Sequence, residues 1–298
     1  MDAALLGLTR RTIDKGRMSG IKSSAPADSA TTVARVLGRI ATLEVRLADS
    51  PEEISAAQEL RFKVFYDELG ARHHRASVSE ARDQDRFDAV CDHLVVVDKA
   101  IAGSVREQMV GTYRLLRAEH AERAGGFYSE DEYQVEALIS RKPDRRYLEL
   151  GRSCVLPEYR SKRTVELLWQ GIWAYCRRHG IDVMLGCASF HGIIPAAHAL
   201  PLSFLYHHCR ATSDWDVRAL PHRYCSMDLM PGEAVNPKAA LMQMPPLIKG
   251  YLRLGASIGD GAVIDRDFGT SDVFIILPVE NISSRYISYY GADADRFV

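Results

Sequence analysis

An α+β fold, a mixed sheet covered by helices within one domain, is predicted by three observations. Segments with the character of strands and of helices alternate along the chain. A length of 298 residues, 47% of them hydrophobic and 26% charged, is enough to bury a substantial core. The strongly β-prone DVFIILPV (272–279) needs a sheet to join, so 41–298 reads as a single domain with a C-terminal extension.

Residues 1–40 are rich in Ser and Ala, carry seven basic against three acidic side chains, and lack sustained periodicity, which predicts a mobile tail. Part of it, LLGLTRRTIDKGRM, also suits a basic amphipathic helix on an anionic membrane face. TLEVRLA (42–48) alternates with period two and predicts a strand. Ser50, Pro51 and Glu53 then supply a cap, a proline at the first helical position and a glutamate three residues on. Ile54, Ala57, Leu60, Val64 and Phe65 follow at helical spacing, predicting a helix to about Leu69.

HLVVVD (93–98) and MVGTYRLLRA (109–118) read as strands, and Ser129 with Glu132 predicts the opening of a short helix. YLELGRSCV (147–155) is the next strand, Val165 to His179 a helix, and DVMLGCAS (182–189) a strand after it. In that helix Leu167, Leu168, Ile172, Tyr175 and Cys176 gather on one face, with Arg177, Arg178 and His179 in the last turn, where positive charge suits the helix dipole. PPLIKGYLRLGA (245–256) predicts a short apolar helix ended by Gly255.

Several function classes are disfavoured at once. Lys plus Arg (38) balances Asp plus Glu (39), so attraction for a charged partner must come from local patches, and nucleic-acid binding is not suggested. Six cysteines form no CxxC pair, and no apolar run approaches the roughly 20 residues that span a bilayer. A reduced, cytoplasmic protein is expected, because Ala3–Leu8 is too short for a signal peptide.

The feature that calls for chemistry is the pair of charges, Glu149 and Arg152, inside a strand that should be buried. The turn Arg160-Ser161-Lys162-Arg163-Thr164 then offers free helix N–H groups beside three cationic side chains. That is either an anion site or a solvated basic turn. VLPEYRSKRTVELLWQGIWAYCRRHG resembles the cofactor-binding strand, turn and helix of GNAT-type N-acyltransferases, and the resemblance implies a GNAT-like, mainly antiparallel sheet flanked by helices. In that family the helix N-terminus holds the pyrophosphate and pantetheine of coenzyme A. Here the loop's glycine positions hold Arg163 and Val165, whose Cβ atoms stand where backbone should close on a pyrophosphate. A phosphopantetheine arm brought by acyl carrier protein, with one phosphodiester, suits the basic rim better.

Arg61 and Phe65, Asp85 and Asp88 in DRFDAVCDH, Arg114 in VGTYRLL, and Glu149 with Arg152 in ELGR resemble the signature of acyl-homoserine-lactone synthases, GNAT relatives that use acyl carrier protein. Their tryptophan after the first helix has no counterpart in LGARHHR. From about Val45 onward, including LGCASFHG and DVFIILPV, the chain is most similar to the L-ornithine Nα-acyltransferases of bacterial ornithine-lipid synthesis. That resemblance implies transfer of a 3-hydroxyacyl group from acyl carrier protein to the α-amine of L-ornithine, giving lyso-ornithine lipid. It implies no permanently bound cofactor, the donor being the acyl-phosphopantetheine of the carrier. A lipid product implies loose, peripheral contact with the inner membrane face.

Aminolysis of a thioester needs a neutral amine, a held carbonyl and a polarised oxygen. An α-amine, with a pKa about 8, is easier to deprotonate than a side-chain amine near 10. Glu149 is the first candidate for the base or for a water-holding relay, against a plain pairing role with Arg152 or Arg114. Asp85 and Asp88 are candidates for the ornithine ammonium groups, with Arg61 or Arg114 on its carboxylate; structural ion pairs explain the same charges. Strand N–H groups about Cys154 are the expected oxyanion donors. Arg160, Lys162, Arg163 and Thr164 are the expected docking site of the carrier's arm.

Competing motifs fare worse. His93 and Asp98 match the HxxxxD spacing of glycerolipid acyltransferases, but five positions along a strand put them on opposite faces about 17 Å apart. Cys154 and Cys187 lack a partner for nucleophilic catalysis. His191 with His198, and His207 with His208, lack metal-ligand spacing, so no metal is expected. Within the enzyme class a lactone-synthase-like or coenzyme-A-dependent transferase stays open. Outside it, a catalytically silent membrane-associated binding protein stays open.

Overall fold

A computed structural model describes residues 36–72 and 81–291. Eight strands form one sheet in the order β1-β2-β3-β4-β5-β6-β8-β7. They are β1 (Val36–Ile40), β2 (Leu43–Leu47), β3 (Asp92–Asp98), β4 (Met109–Arg117), β5 (Tyr147–Val155), β6 (Val183–His191), β7 (Ser257–Asp265) and β8 (Thr270–Pro278). Every neighbouring pair is antiparallel except β5 and β6. This is the mixed, mainly antiparallel, helix-flanked sheet expected of a GNAT-like fold.

The helices longer than one turn are α1 (Pro51–Phe62), α2 (Val135–Arg141), α3 (Lys162–His179), α4 (Ala199–His208), α5 (Pro237–Gln243), α6 (Pro246–Leu254) and α7 (Ser284–Gly291). Ser50 caps α1 by accepting the Glu53 N–H, and beyond Phe62 the helix widens into a π-helical stretch, Lys63–Glu68. Ser161 caps α3 by accepting the Thr164 N–H, so that helix starts at Lys162, three residues before the expected Val165. Gly255 ends α6 at φ 99°, a left-handed backbone that suits glycine.

Alternation along the strands divides the core between two faces. On one, Leu167, Leu168, Ile172 and Tyr175 of α3 pack on Leu37, Val45, Leu94 and Val96. Burying a Leu or Ile side chain as completely as Leu167 or Ile172 stabilises the fold by about 1.5–3 kcal/mol each. On the other face α1 sets Ala57 and Leu60 against Val95, Met109 and Cys154. Beside it α2 sets Val135 and Leu138 against Tyr147, Val183 and Phe274.

Two boundaries differ from expectation. Val36–Ile40, assigned to the tail, pairs with β2, so the domain starts by Val36 rather than at residue 41; residues 1–35, with the rest of that tail, lie outside the described residues. Ser129 opens no α-helix. Its N–H and hydroxyl are spent on Glu149, and α2 begins only at Val135. Among the described residues no helix is long and apolar enough to cross a membrane.

The sheet has one breach. Strands β5 and β6 each run nine residues, yet they pair only from Tyr147 with Val183 to Glu149 with Leu185. Beyond Glu149 they part. Gly186 marks the fork: its φ is 145°, and a Cβ there would lie 2.5 Å from the Leu150 carbonyl oxygen.

Candidate active site

The breach opens into a cavity of about 260 Å³, near the lower limit of about 300 Å³ for small-molecule sites. Side chains from both faces line it. Tyr113, Leu150 and Ala188 belong to the core under α3, whereas Leu116 and Cys187 belong to the core of the opposite face. The cavity therefore passes through the plane of the sheet.

A bulge in β5 shapes its wall. Thr112 pairs with Cys154 and Arg114 with Gly151, so Arg152 and Ser153 stand opposite Tyr113 alone. Arg152 takes φ 51°, a left-handed conformation that costs a non-glycine residue about 1–3 kcal/mol. The bend carries its guanidinium between two rings, 4.7 Å from the Tyr128 centroid and 4.5 Å from that of Phe268.

Behind this wall three arginines meet three aspartates. Arg61, with no exposed surface, donates to Asp83 Oδ2 (2.8 Å), to the Asp83 carbonyl (2.5 Å) and to Asp88 Oδ1 (2.7 Å). Arg114 donates to Asp85 Oδ1 (2.6 Å) and approaches Asp88 Oδ2 (3.4 Å). Arg152 sits 3.3 Å from both Asp83 Oδ2 and Asp85 Oδ2. The charges balance. Desolvation would raise the Asp85 carboxyl, but Arg114 and Arg152 outweigh it and hold the group down at about 2.

These pairings correct the expected division of labour. Arg114, Arg152 and Phe65 line the cavity; Arg61, Asp85 and Asp88 do not. Arg61 is wholly buried on its two aspartates, away from the cavity. Asp88 spends one oxygen on Arg61 and the other on the Asp85 N–H (2.9 Å), leaving little for an ammonium group. Asp85 likewise spends both oxygens on arginines.

Glu149 lines the cavity at the fork. Its Oε2 accepts the Tyr128 N–H at 2.7 Å, and its Oε1 accepts the Ser129 N–H (2.9 Å) and hydroxyl (2.5 Å). Burial pushes its carboxyl above the usual range, against the pull of these donors and of Arg114. The single bond on Oε2 leaves it a lone pair.

The cationic cap of α3 does not meet this carboxylate directly. Glu149 opposes Leu185 in the face remote from α3, while its neighbours Leu148 and Leu150 point toward that helix. None of Arg160, Lys162, Arg163 and Thr164 lines the cavity. Arg160 grips Glu68 with two bonds of 2.5 and 2.7 Å, and Thr164 is buried with its hydroxyl on the Tyr159 carbonyl. Lys162 forms an exposed pair with Glu166 at 3.2 Å, and Arg163 is exposed. The expected convergence of cap and carboxylate on one cleft is not found: Glu149 faces away from α3, and the cap residues stand outside the cavity.

Of the strand residues just after Arg152, expected as oxyanion donors, Ser153 borders the cavity and Cys154 does not. Cys154 pairs with Thr112 and packs against α1, so the strand segment bordering the cavity is Leu150–Ser153. The cysteines offer no nucleophile: burial pushes the Cys154 thiol up, and burial with Glu132 pushes Cys187 well up. His93 and Asp98 occupy opposite ends of β3, the His93 ring on the Asp88 carbonyl and Asp98 accepting from Tyr159. A glycerolipid-type dyad is thereby excluded.

Comparison with known proteins fits this architecture. The family model described as Acetyltransferase (GNAT) domain matches residues 60–170. The L-ornithine N(alpha)-acyltransferase of Brucella abortus (strain 2308) is 68% identical, over 94% of this chain and 100% of that protein. That of Rhizobium meliloti (strain 1021) is 60% identical, over 88% of each. This chain belongs to the L-ornithine Nα-acyltransferase family. It is an acyltransferase. A solved structure of an N-acyl amino acid synthase from uncultured soil microbes is similar at 11% identity and a TM-score of 0.45, over 80% of this chain and 91% of that one.

Sequence reading of the acyltransferase missed Asp83, Tyr128 and Ser129, and also a second acidic group. Glu132, Asp265 and Asp272 bring carboxylate oxygens within 4.8 Å of one another, the one set among the described residues that could hold a metal ion. The histidine pairs have other work: His198 bonds the His191 carbonyl and His207 the Met230 carbonyl, each at 3.0 Å. Asp272 opens the β-prone run predicted to join the sheet, a charge beside an apolar stretch that resembles the signal at Glu149.

Proposed function

We propose that the protein moves a 3-hydroxyacyl group from the phosphopantetheine of acyl carrier protein to the α-amine of L-ornithine, releasing lyso-ornithine lipid and the free-thiol carrier. The observation that carries this reading is 68% identity, over its whole length, to a protein named for that acceptor. The breach supports it, since a thioester arm and an amino acid can approach one point from opposite faces.

In this reading the arm enters beside α3, with Lys162 and Arg163 facing the acidic carrier. Ornithine enters on the Glu149 side. Arg114 and Arg152 line that wall, and their guanidinium donors suit the amino-acid carboxylate even with their charge balanced by the aspartates behind them. Oε2 of Glu149, directly or through one water, takes the proton as the α-amine attacks the thioester carbon. Backbone of Gly151–Ser153 borders the place where the oxyanion develops. Collapse of that intermediate breaks the carbon–sulfur bond, forms the amide and returns a proton to the departing thiolate.

The product being a lipid, the site sits in the cytoplasm at the inner face of the membrane. Leu241, Met242 and the cavity-lining Leu247 are exposed apolar side chains of α5 and α6 suited to that surface. The test mixes purified protein, 3-hydroxyacyl carrier protein and labelled ornithine, with the matching coenzyme A thioester in a parallel arm. N-Acylornithine formed preferentially from the carrier is expected. Preference for coenzyme A removes the donor assignment, and acylation of another amine in place of ornithine removes the acceptor.

A further inference from the structure

The arginine–aspartate network is charge-balanced; the second acidic cluster is not. Glu132 follows the turn Tyr128–Asp131, Asp265 ends β7, and Asp272 lies in β8. Register places Asp272 opposite Ser189 of β6 and Asp265 opposite Thr270, so the cluster faces the same side of the sheet as Glu149. Asp265 and Asp272 line the cavity that Glu149 lines.

Positive charge reaches these carboxylates from Arg152, which acts on Asp272, and from Arg223, which acts on Glu132. Arg223 reaches Glu132 only at 3.6 Å, from a partly exposed position. Glu132 accepts the Cys187 thiol (3.3 Å), and Asp265 accepts the backbone N–H groups of Asp267 (2.8 Å) and Phe268 (3.0 Å). Asp272, only 6% exposed, has an Oδ1 with no hydrogen-bond partner. A buried acceptor without a donor is costly, and a buried carboxylate more so. Burial, then repulsion from Asp272, lifts the Glu132 carboxyl to about 7; burial lifts that of Asp272 to about 6, against the pull of the Ser189 and Thr270 hydroxyls and of Arg152 and with a smaller push from Asp265.

We propose that Glu132, Asp265 and Asp272 form the subsite for the side-chain ammonium of a diamino-acid acceptor, with Asp272 Oδ1 as a principal acceptor of its hydrogen bonds. The inference rests on the acceptor class assigned above. An ammonium presents three N–H donors and one charge, which three converging carboxylates can share. A divalent cation of the calcium type seeks six to eight oxygens, and the thiol on Glu132 is a poor substitute. The subsite also accounts for regiochemistry. An ammonium held among carboxylates keeps its proton and is no nucleophile, while the α-amine at Glu149 loses its own.

The test compares L-ornithine with L-norvaline, which has the same carbon chain without the side-chain amine. Thermal stabilisation of the wild-type protein and initial rates with acyl carrier thioester are measured for both. Ornithine should stabilise the protein at concentrations where norvaline does not, and its Michaelis constant should lie at least about tenfold lower. Asp272→Asn, and separately the less buried Asp265→Asn, should collapse the ornithine-to-norvaline preference by about tenfold. Equal binding of the two amino acids by the wild type, or variants that weaken both alike, overturns the proposal. So does calcium or magnesium stabilising the wild type, but not Asp272→Asn, and leaving ornithine binding unopposed. Failure of the acceptor assignment reads differently: neither amino acid stabilises the wild type, while another amine is acylated.

Discussion

At the residue scale the protein treats two groups of carboxylates in opposite ways. Asp83, Asp85 and Asp88 are tied to arginines, and Asp85 is held near 2 by Arg114 and Arg152. Glu149 is held by neutral donors, and its carboxyl is raised. A base with a raised value loses its working form on acidification sooner than an ordinary carboxylate. Glu149→Gln should lower kcat more than about tenfold and abolish the acid limb of the pH–rate profile, with the chain still folded by circular dichroism. A near wild-type rate would leave Glu149 a purely structural acceptor. Asp272 gives a prediction of the other kind. Its folded carboxyl, about 6, exceeds the unfolded value of about 3.9, so the folded state holds a proton the unfolded chain has released and stability is lost as pH rises between the two. Asp272→Asn without ligand should therefore raise Tm at pH 8 and change it little near pH 4. The same residue shows where reading the sequence stopped short. A charge inside a β-prone run pointed to Glu149, and Asp272 heads such a run, but Glu132 lies far away in sequence and only the fold brings it to Asp272 and to Asp265 across the β7–β8 hairpin.

At the scale of elements, most strands and helices were legible because periods of two and 3.6 are written into them. β5 ends where expected, at Tyr147 and Val155, and Gly255 ends α6. The misses have physical causes. Gly38 and Arg39 interrupt the alternation of β1, Gly259 and Gly261 weaken the strand signal of β7, and Pro201 sits inside α4. The breach was not legible at all, since the parting of β5 from β6 depends on which residues pair and no local pattern records that. Gly186 is its mechanical marker. Gly186→Ala would force a Cβ against the Leu150 carbonyl in a backbone conformation alanine resists. A loss of about 1–3 kcal/mol in urea unfolding is expected, with a larger fractional loss of kcat/KM. Unchanged stability would mean that the fork tolerates a side chain.

At the scale of the whole molecule, net charge is almost zero, so the proposed recognition of an acidic carrier protein would have to be local. Of the cations around the α3 cap, Arg160 is committed to Glu68, which leaves Lys162 and Arg163 as the outward ones. Reversing both to Glu should raise the apparent KM for acyl carrier protein about tenfold at low salt and much less at high salt, with kcat retained. An unchanged KM would remove that end of α3 from the docking surface.

A hole through a sheet has a further consequence for turnover. On the proposed reaction the new amide is born inside an aperture, with its polar head on one side and its hydrocarbon tail trailing from the other. Such a molecule is threaded like a bead on a string, and it escapes only when one end is drawn through. The small headgroup is the end that fits, so departure toward the carrier's side, once the spent arm has withdrawn, becomes the step that clears the enzyme for its next cycle.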